Sequence, residues 1–299
     1  MKRYLIPFAF ALAIPLLACG GDARSDVAGP AVADTATESL PAPETVMPVA
    51  MSVEEFESGA VRKDVPYVPT PQATVDEMLR MARVSSKDLL YDLGSGDGRI
   101  VITAAREHGA RGIGIDIDPQ RITEANANAE AEGVTDRVRF VQGDLFQTNL
   151  REATAVTLYL LRSVNLRLRP KLLEELRPGT PVVSHDFDMG EWAPDQEKRV
   201  GGDQLYLWII PARVDGDWSW NGAEGERRVR LDQDFQRFTG REDGGGMEVR
   251  NGRLNGAEIT FELIRGGANE QYRGRVSGNT IQGTVESGGR RTAWRAQRG

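Results

Sequence analysis

Asp92-Leu-Gly-Ser-Gly-Asp-Gly-Arg99 sets three glycines at alternate positions where a hydrophobic stretch, residues 89–93, gives way to a helical pattern. Without a Cβ, Gly94, Gly96 and Gly98 let the backbone turn sharply and approach a ligand closely, and Ser95 lies in the same loop. Glycine loops for dinucleotides read G-x-G-x-x-G and seat a pyrophosphate on the next helix N-terminus. Here the order is G-x-G-x-G, with the acid Asp92 two residues ahead of the first glycine. A carboxylate at that place repels a pyrophosphate but pairs with an ammonium group.

Two more acids follow in order. Ala110-Arg-Gly-Ile-Gly-Ile-Asp116 is a second short apolar stretch, and Asp116 falls roughly 20 residues beyond the glycine loop, where a ribose diol is expected. Asp118-Pro119 predicts a helix start, with Asp118 as N-cap and Pro119 in the first turn. A third stretch, residues 137–142, runs into Gly143-Asp144-Leu145-Phe146. Asp144 there can accept from an adenine exocyclic amine. S-adenosylmethionine, with its ammonium, its sulfonium, its ribose and its adenine, answers all three acids. A lone glycine motif is a weak signal, whereas three strand-end features in sequence are a strong one.

The chain resembles the seven-stranded, Rossmann-like class I methyltransferases that use S-adenosylmethionine, over residues 61–212. Within that span Pro66-Tyr-Val-Pro-Thr-Pro71, residues 92–101, Tyr159-Leu-Leu161, Leu168-Arg-Pro170 and Ser184-His-Asp-Phe187 are similar to one subgroup. That subgroup includes bacterial proteins and mitochondrial protein-lysine methyltransferases acting on inner-membrane carrier and ATP synthase subunits. The resemblance implies S-adenosylmethionine as cofactor, held by Tyr67, Thr70, Asp92, Gly94, Ser95, Gly96, Gly98, Asp116, Asp144 and Leu145. It implies N-methylation, with a protein lysine as the preferred acceptor and a small molecule as the alternative. Tyr67 and Thr70 belong to a proline-fixed segment that, by the resemblance, closes over the methionine end; an extended connector is the competing account. The chain lacks the Asn-Pro-Pro-Tyr signature of enzymes that methylate nucleobases or glutamine, and Tyr159-Leu-Leu161 stands where it would begin.

Methyl transfer is an in-line displacement in which positioning of a neutral nucleophile supplies most of the acceleration, and it requires no metal and no covalent intermediate. Tyr159, read as the end of the fourth strand, occupies the place where such enzymes face the acceptor nitrogen. Its phenol and nearby carbonyls can orient an amine that desolvation keeps neutral. A packed strand-end tyrosine is the equal alternative. His185 closes the fifth strand and has the ring to remove a proton near neutrality, although local hydrogen bonding is the commoner use of such a histidine.

These residues need a scaffold. Apolar stretches 89–93, 112–115, 138–141, 155–160 and 181–185 alternate with helical patterns 99–108, 119–132 and 164–176, which predicts a doubly wound α/β sheet, parallel and covered on both faces. After Pro71, Val75, Met78, Leu79 and Ala82 share one helical face. A hairpin over 197–212, with Leu205-Tyr-Leu-Trp-Ile-Ile210, completes seven strands. From Arg213 onward, turn signals at Asp215-Gly216, Asn251-Gly252, Asn255-Gly256, Gly266-Gly267, Gly278-Asn279 and Gly288-Gly289 separate alternating stretches. They predict a small all-β meander or partly closed barrel. Trp218, Trp220, Phe235, Phe238, Phe261, Tyr272 and Trp294 are expected in its core rather than in a binding groove.

The 299 residues exceed the usual single-domain size. A formal charge of −7 gives no support for nucleic acid as the main partner. Lys2 and Arg3 precede an apolar stretch over 4–17, and Leu16-Leu-Ala-Cys19 resembles the bacterial lipobox, whose cysteine is lipidated. An uncleaved anchor is the alternative reading. Cys19 is the single cysteine, so no intramolecular disulfide forms. The expected organisation is a lipoprotein signal peptide at 1–18, a disordered tether at 19–51, a methyltransferase domain at 52–212 and a β-rich domain at 213–299. The expected address is the bacterial cell envelope, lipid-anchored to a membrane, with the cytoplasmic face open as a possibility. Export sits badly with a cofactor made in the cytoplasm. A lipid-anchored nucleoside-binding module without catalysis therefore stands as the second functional reading.

Overall fold

The computed structural model describes residues 67–222, 225–242 and 245–299. The expected signal peptide, the tether and Cys19 lie outside the described residues.

Seven strands form one sheet in the order β3-β2-β1-β4-β5-β7-β6. They are β1 (Leu89–Leu93), β2 (Arg111–Asp116), β3 (Val138–Gln142), β4 (Ala155–Leu158), β5 (Pro181–His185), β6 (Gln196–Val200) and β7 (Asp203–Ile209). Strands β1 to β5 run parallel, and β7 enters antiparallel to both β5 and β6. All five residues of β1 are buried, as expected of a central strand covered on both faces. Helices α1 (Gln72–Met81), α2 (Arg99–His108), α3 (Pro119–Ala131) and α4 (Arg162–Glu175) provide that cover. Val75, Met78 and Leu79 on α1, with Ala82 at its C-cap, all pack into the core beside β5 and β7, as their spacing predicts. Asp118 caps α3 by accepting from the Gln120 N–H at 3.0 Å, with Pro119 in the first turn.

Chain order reverses between β1 and β4, where β2 and β3 lie to one side and β5 to the other. A crevice opens at such a switch point, outside the carboxyl ends of the strands. Strand β4 stops at Leu158, two residues short of the 155–160 expected from apolar content, and α4 begins at Arg162 rather than near residue 164. Leucines 160 and 161 are apolar because the loop is packed into the core, not because it is strand. Tyr159 thus stands in a loop just past the strand.

The second body is a closed eight-stranded antiparallel barrel, a complete closure where the sequence predicts a meander or partly closed barrel. Its strands are β8 (Gly216–Gly222), β9 (Gly225–Asp234), β10 (Arg237–Glu242), β11 (Met247–Asn255), β12 (Glu258–Arg265), β13 (Ala268–Ser277), β14 (Thr280–Ser287) and β15 (Arg290–Arg298). Strand β15 meets β8 through Ala296↔Trp220, Gln297↔Ser219 and Arg298↔Trp218, which closes the ring. Trp218, Trp220, Phe238, Phe261, Tyr272 and Trp294 fill its core, as expected.

Two local expectations fail for a shared reason. Asn251-Gly252 makes no turn; it lies within β11, where the register against β10 and β12 slips and Asn251 takes φ +54°. The left-handed conformation that Asn-Gly allows serves a β-bulge as readily as a hairpin. The β9–β10 turn instead uses Phe235 and Gln236, with Phe235 at φ +52° and no glycine to mark it. Phe235 also lies outside the barrel core that its aromatic character predicts. It packs on the core of the seven-stranded sheet, its ring stacked 5.7 Å from Trp192 with Arg169 above it at 5.2 Å. Beside it the Gln236 amide donates to the Ala193 carbonyl at 2.7 Å, and the Ala212 N–H donates to the Gly256 carbonyl at 2.8 Å. Phe235, at positive φ, thus marks the place where the barrel meets the sheet. Phe235→Ala is expected to remove about 2 kcal/mol of docking. Limited proteolysis should then cut the 210–215 connection faster, and unchanged cutting would refute a docking role.

Candidate active site

A cavity of about 450 Å³ occupies the crevice at the carboxyl ends of β1, β2 and β4. Its lining includes Tyr67, Thr70, Asp92, Gly94, Ser95, Gly96, Asp116, Asp144, Leu145 and Tyr159, ten of the residues singled out in the sequence. Gly98 and His185 are not among them.

Asp92 is the cavity's deepest charge, 2% exposed, and faces Thr157 across the β1–β4 register. The Thr157 hydroxyl donates to Asp92 Oδ1 at 2.7 Å. Burial pushes the Asp92 carboxyl up to about 7; the Thr157 hydrogen bond opposes the rise, while Asp116 and Asp97 add to it. The glycine loop hangs from β2, since Gly94 and Ser95 donate their N–H groups to the Ile115 carbonyl at 2.8 and 2.9 Å. Asp116 ties the loop again, accepting from Gly96 N–H at 2.9 Å and from Asp118 N–H at 2.9 Å. Asp144 accepts from Phe146 N–H at 2.8 Å, which sets the turn that presents Leu145.

The glycines divide the work. At Gly96, with φ +52°, a Cβ would lie 2.5 Å from the Tyr67 ring, so the glycine is what lets that ring close down. At Gly98, with φ +81°, a Cβ would meet the Phe140 ring at 2.5 Å, behind the cavity at the start of α2. The structure thus places Gly98 at a helix-packing position rather than on the ligand surface.

The segment at 67–70 lies over the mouth and is held from several sides. Arg121 sits 4.6 Å from the Tyr67 ring centroid, a cation–π contact. The Tyr67 hydroxyl bonds to Asp97, and burial followed by that carboxylate raises the phenol's pKa. Arg99 donates through Nη1 to the Thr70 carbonyl at 2.9 Å and pairs with Asp97 at 2.6 Å. Burial alone would push Asp97 up, but its pairing with Arg99 holds it below the ordinary carboxylate range. Sequence reasoning does not single out Asp97, Arg99 or Arg121. The first two lie inside the long 92–101 block, and Arg121 faces the mouth from the first turn of α3.

Tyr159 reaches the cavity, whereas His185 lies behind it, 1% exposed and stacked on the Tyr159 ring at a centroid distance of 3.8 Å. Thr70 Oγ1 lies 3.1 Å from His185 Nδ1, so the mouth segment and the end of β5 are joined. Burial holds the imidazole below its ordinary pKa against the opposing pull of Asp186 and Asp203. Burial, then Asp186 and Asp203, raise the Tyr159 phenol, which stays protonated at neutral pH. Asp203 is invisible to motif reasoning, because β7 brings it back across a hairpin.

A doubly wound sheet, a glycine loop at its switch point and acids at the carboxyl ends of three consecutive strands define a Rossmann-like, S-adenosylmethionine-dependent methyltransferase. Residues 92–196 match the ANTKMT methyltransferase domain family. The protein-lysine N-methyltransferase of Saccharolobus islandicus (strain REY15A) is 48% identical over 151 residues, 49% of this chain and 94% of that protein. The adenine nucleotide translocase lysine N-methyltransferase of Mus musculus is 33% identical over 156 residues, 52% of this chain and 67% of that one. The solved RNA methyltransferase of Salinibacter ruber in complex with S-adenosyl-L-homocysteine is 62% identical, with a TM-score of 0.49, covering 49% of this chain and 96% of that one. The chain belongs to the ANTKMT-type family of S-adenosylmethionine-dependent methyltransferases.

The residues present fit that cofactor. A carboxyl kept dry at the cavity floor with a pKa of about 7 is a site for a cation, and an α-ammonium supplies one. Because the native pKa lies above the unfolded value of 3.8, the folded protein binds the extra proton between pH 3.8 and about 7, and stability falls as pH rises through that window. Asp92→Asn is therefore expected to raise Tm more at pH 8 than at pH 5 in thermal scans of the ligand-free protein. The same substitution should weaken S-adenosylmethionine by about 10- to 100-fold in calorimetric titration, and wild-type affinity should drop as pH falls below 7. An unchanged affinity would remove Asp92 from the site.

Proposed function

We propose that this protein N-methylates a lysine side chain of a protein substrate. The observation that carries the reading is the 48% identity, across nearly the whole of its length, to a protein-lysine N-methyltransferase. When bound, S-adenosylmethionine supplies an electrophilic methyl on a sulfonium. Asp92 takes the ammonium, Asp116 the ribose diol and Asp144 with Leu145 the adenine. Tyr67 and Thr70 exclude water over the methionine end. Tyr159 offers its protonated phenol to orient the acceptor nitrogen, and the low-dielectric cavity favours the neutral amine over the ammonium. His185, walled off by the Tyr159 ring, fixes that ring instead of taking a proton.

The domain division at 52–212 and 213–299, the tether at 19–51 and the lipid anchor belong to the same proposal. Lipidation at Cys19 would place the enzyme on a membrane of the cell envelope.

Purified full-length protein, given S-adenosylmethionine with a labelled methyl and fractionated lysate, is expected to label protein, with methyl-lysine recovered by mass spectrometry. Label in RNA or in a small molecule would overturn the acceptor, and no transfer at all would favour a binding module. Tyr159→Phe is expected to lower kcat by about tenfold with little change in cofactor affinity, the loss of one hydrogen bond at the reacting nitrogen. Cys19→Ser should move the protein from the membrane to the soluble fraction; retention would favour an uncleaved helix.

A further inference from the structure

Behind Tyr159, three donor atoms converge from two strand ends. His185 Nε2 lies 3.3 Å from Asp203 Oδ2 and 3.5 Å from Asp186 Oδ2, and one donor atom from each residue falls within 4.8 Å of the others. Among the described residues His185 Nε2 has no hydrogen-bond partner, although the ring is 1% exposed. The carboxylate oxygens lie near it at 3.3 and 3.5 Å without making a hydrogen bond to it. A buried imidazole nitrogen left in that state costs free energy unless something else satisfies it.

We propose that His185, Asp186 and Asp203 form a binding site for a divalent cation of the zinc type. Ligands bound about 2.0–2.2 Å from zinc at tetrahedral angles stand roughly 3.3 Å apart, close to the two His185–carboxylate distances. A His and two carboxylates are a donor set that zinc accepts, and water can complete the four, since the Asp186 and Asp203 side chains are 35% and 24% exposed.

Each ligand is also oriented from behind, as metal ligands generally are. Thr70 Oγ1 holds His185 Nδ1 at 3.1 Å, which leaves Nε2 as the free donor. The Thr74 hydroxyl donates to Asp203 Oδ2 at 2.7 Å. The Gln204 N–H donates to Asp186 Oδ1 at 2.9 Å, so Oδ2 is the oxygen that faces the imidazole. Asp186 is carried there at φ +61°, within a tight turn closed by the Phe187 N–H on the His185 carbonyl at 2.8 Å.

The cation would tie the ends of β5 and β7 together under the Tyr159 ring and leave the methyl-transfer chemistry itself metal-free. On the reading of a lysine acceptor, it would also cancel two negative charges that otherwise favour an ammonium at Tyr159.

The test is metal binding, which stands or falls independently of the acceptor. Full-length, tag-free protein is stripped with a chelator, then titrated with Zn²⁺ against a chromophoric competitor and with Co²⁺ for its ligand-field absorption. One specific equivalent of zinc and a tetrahedral cobalt spectrum are expected. Asp186→Asn and Asp203→Asn should each weaken zinc by at least about 10- to 100-fold and remove the cobalt bands. His185→Ala should do the same, and because that ring is buried, the part-exposed Asp186→Asn, checked for folding by circular dichroism, keeps the test decisive. Absence of a zinc equivalent in the wild type, or wild-type affinity in folded Asp186→Asn, would overturn the site.

Discussion

A carboxylate held almost dry on the floor of a cavity, beside two other acids, raises the free energy of the protein that carries it. Asp92 is placed so by the architecture. It lies next to the end of a central strand whose neighbours on both sides, β2 and β4, remove water, and the Thr157 hydroxyl reaches it from the register opposite. The crevice exists because strand order reverses at that point, and the loop that turns away from Asp92 must pass close to β2 to leave room. The glycines, the 67–70 segment and the acids that follow are arranged around a charge that a proton or a bound cation relieves.

The 67–70 segment shows how one constraint propagates. Tyr67 can lie on the loop because position 96 has no side chain, and it stays there through Arg121 and Asp97. Thr70 then connects the segment to His185, and His185 to the face of Tyr159. Cofactor side and acceptor side are thus joined by a run of direct contacts from 67–70 to the end of β5. On the proposed reading, a ligand that orders residues 67–70 would act on Tyr159 through the same contacts.

Much of this is legible from the chain alone, for local reasons. Strand β1 and helix α2 fall where apolar period and glycine stops put them, and Asp92, Asp116 and Asp144 stand out because each ends a short apolar run. What escapes depends on partners distant in sequence. Nothing local marks Asp203 as a neighbour of His185, since a return through β6 and β7 brings it there. Phe235 reads as barrel core because aromatic residues at strand spacing usually are, whereas the structure uses it on the neighbouring domain. Tyr159 reads as strand because apolar leucines follow it, Leu160 buried and Leu161 partly so, and a packed loop leaves the same apolar signature as a strand.

The barrel's connectivity carries a kinetic meaning. Each of its strands pairs with its neighbour in sequence, with one exception: the seam between β15 and β8. Successive hairpins close small loops and form quickly, but the seam joins the two ends of the barrel and is its longest-range closure. Until β15 arrives, β8 and β14 are open edges, and the aromatic interior has a way out to solvent. The sheet domain, complete by β7, can be folded by then. Its surface around Trp192, ready to receive the Phe235 hairpin, offers the growing barrel a template on which to wait.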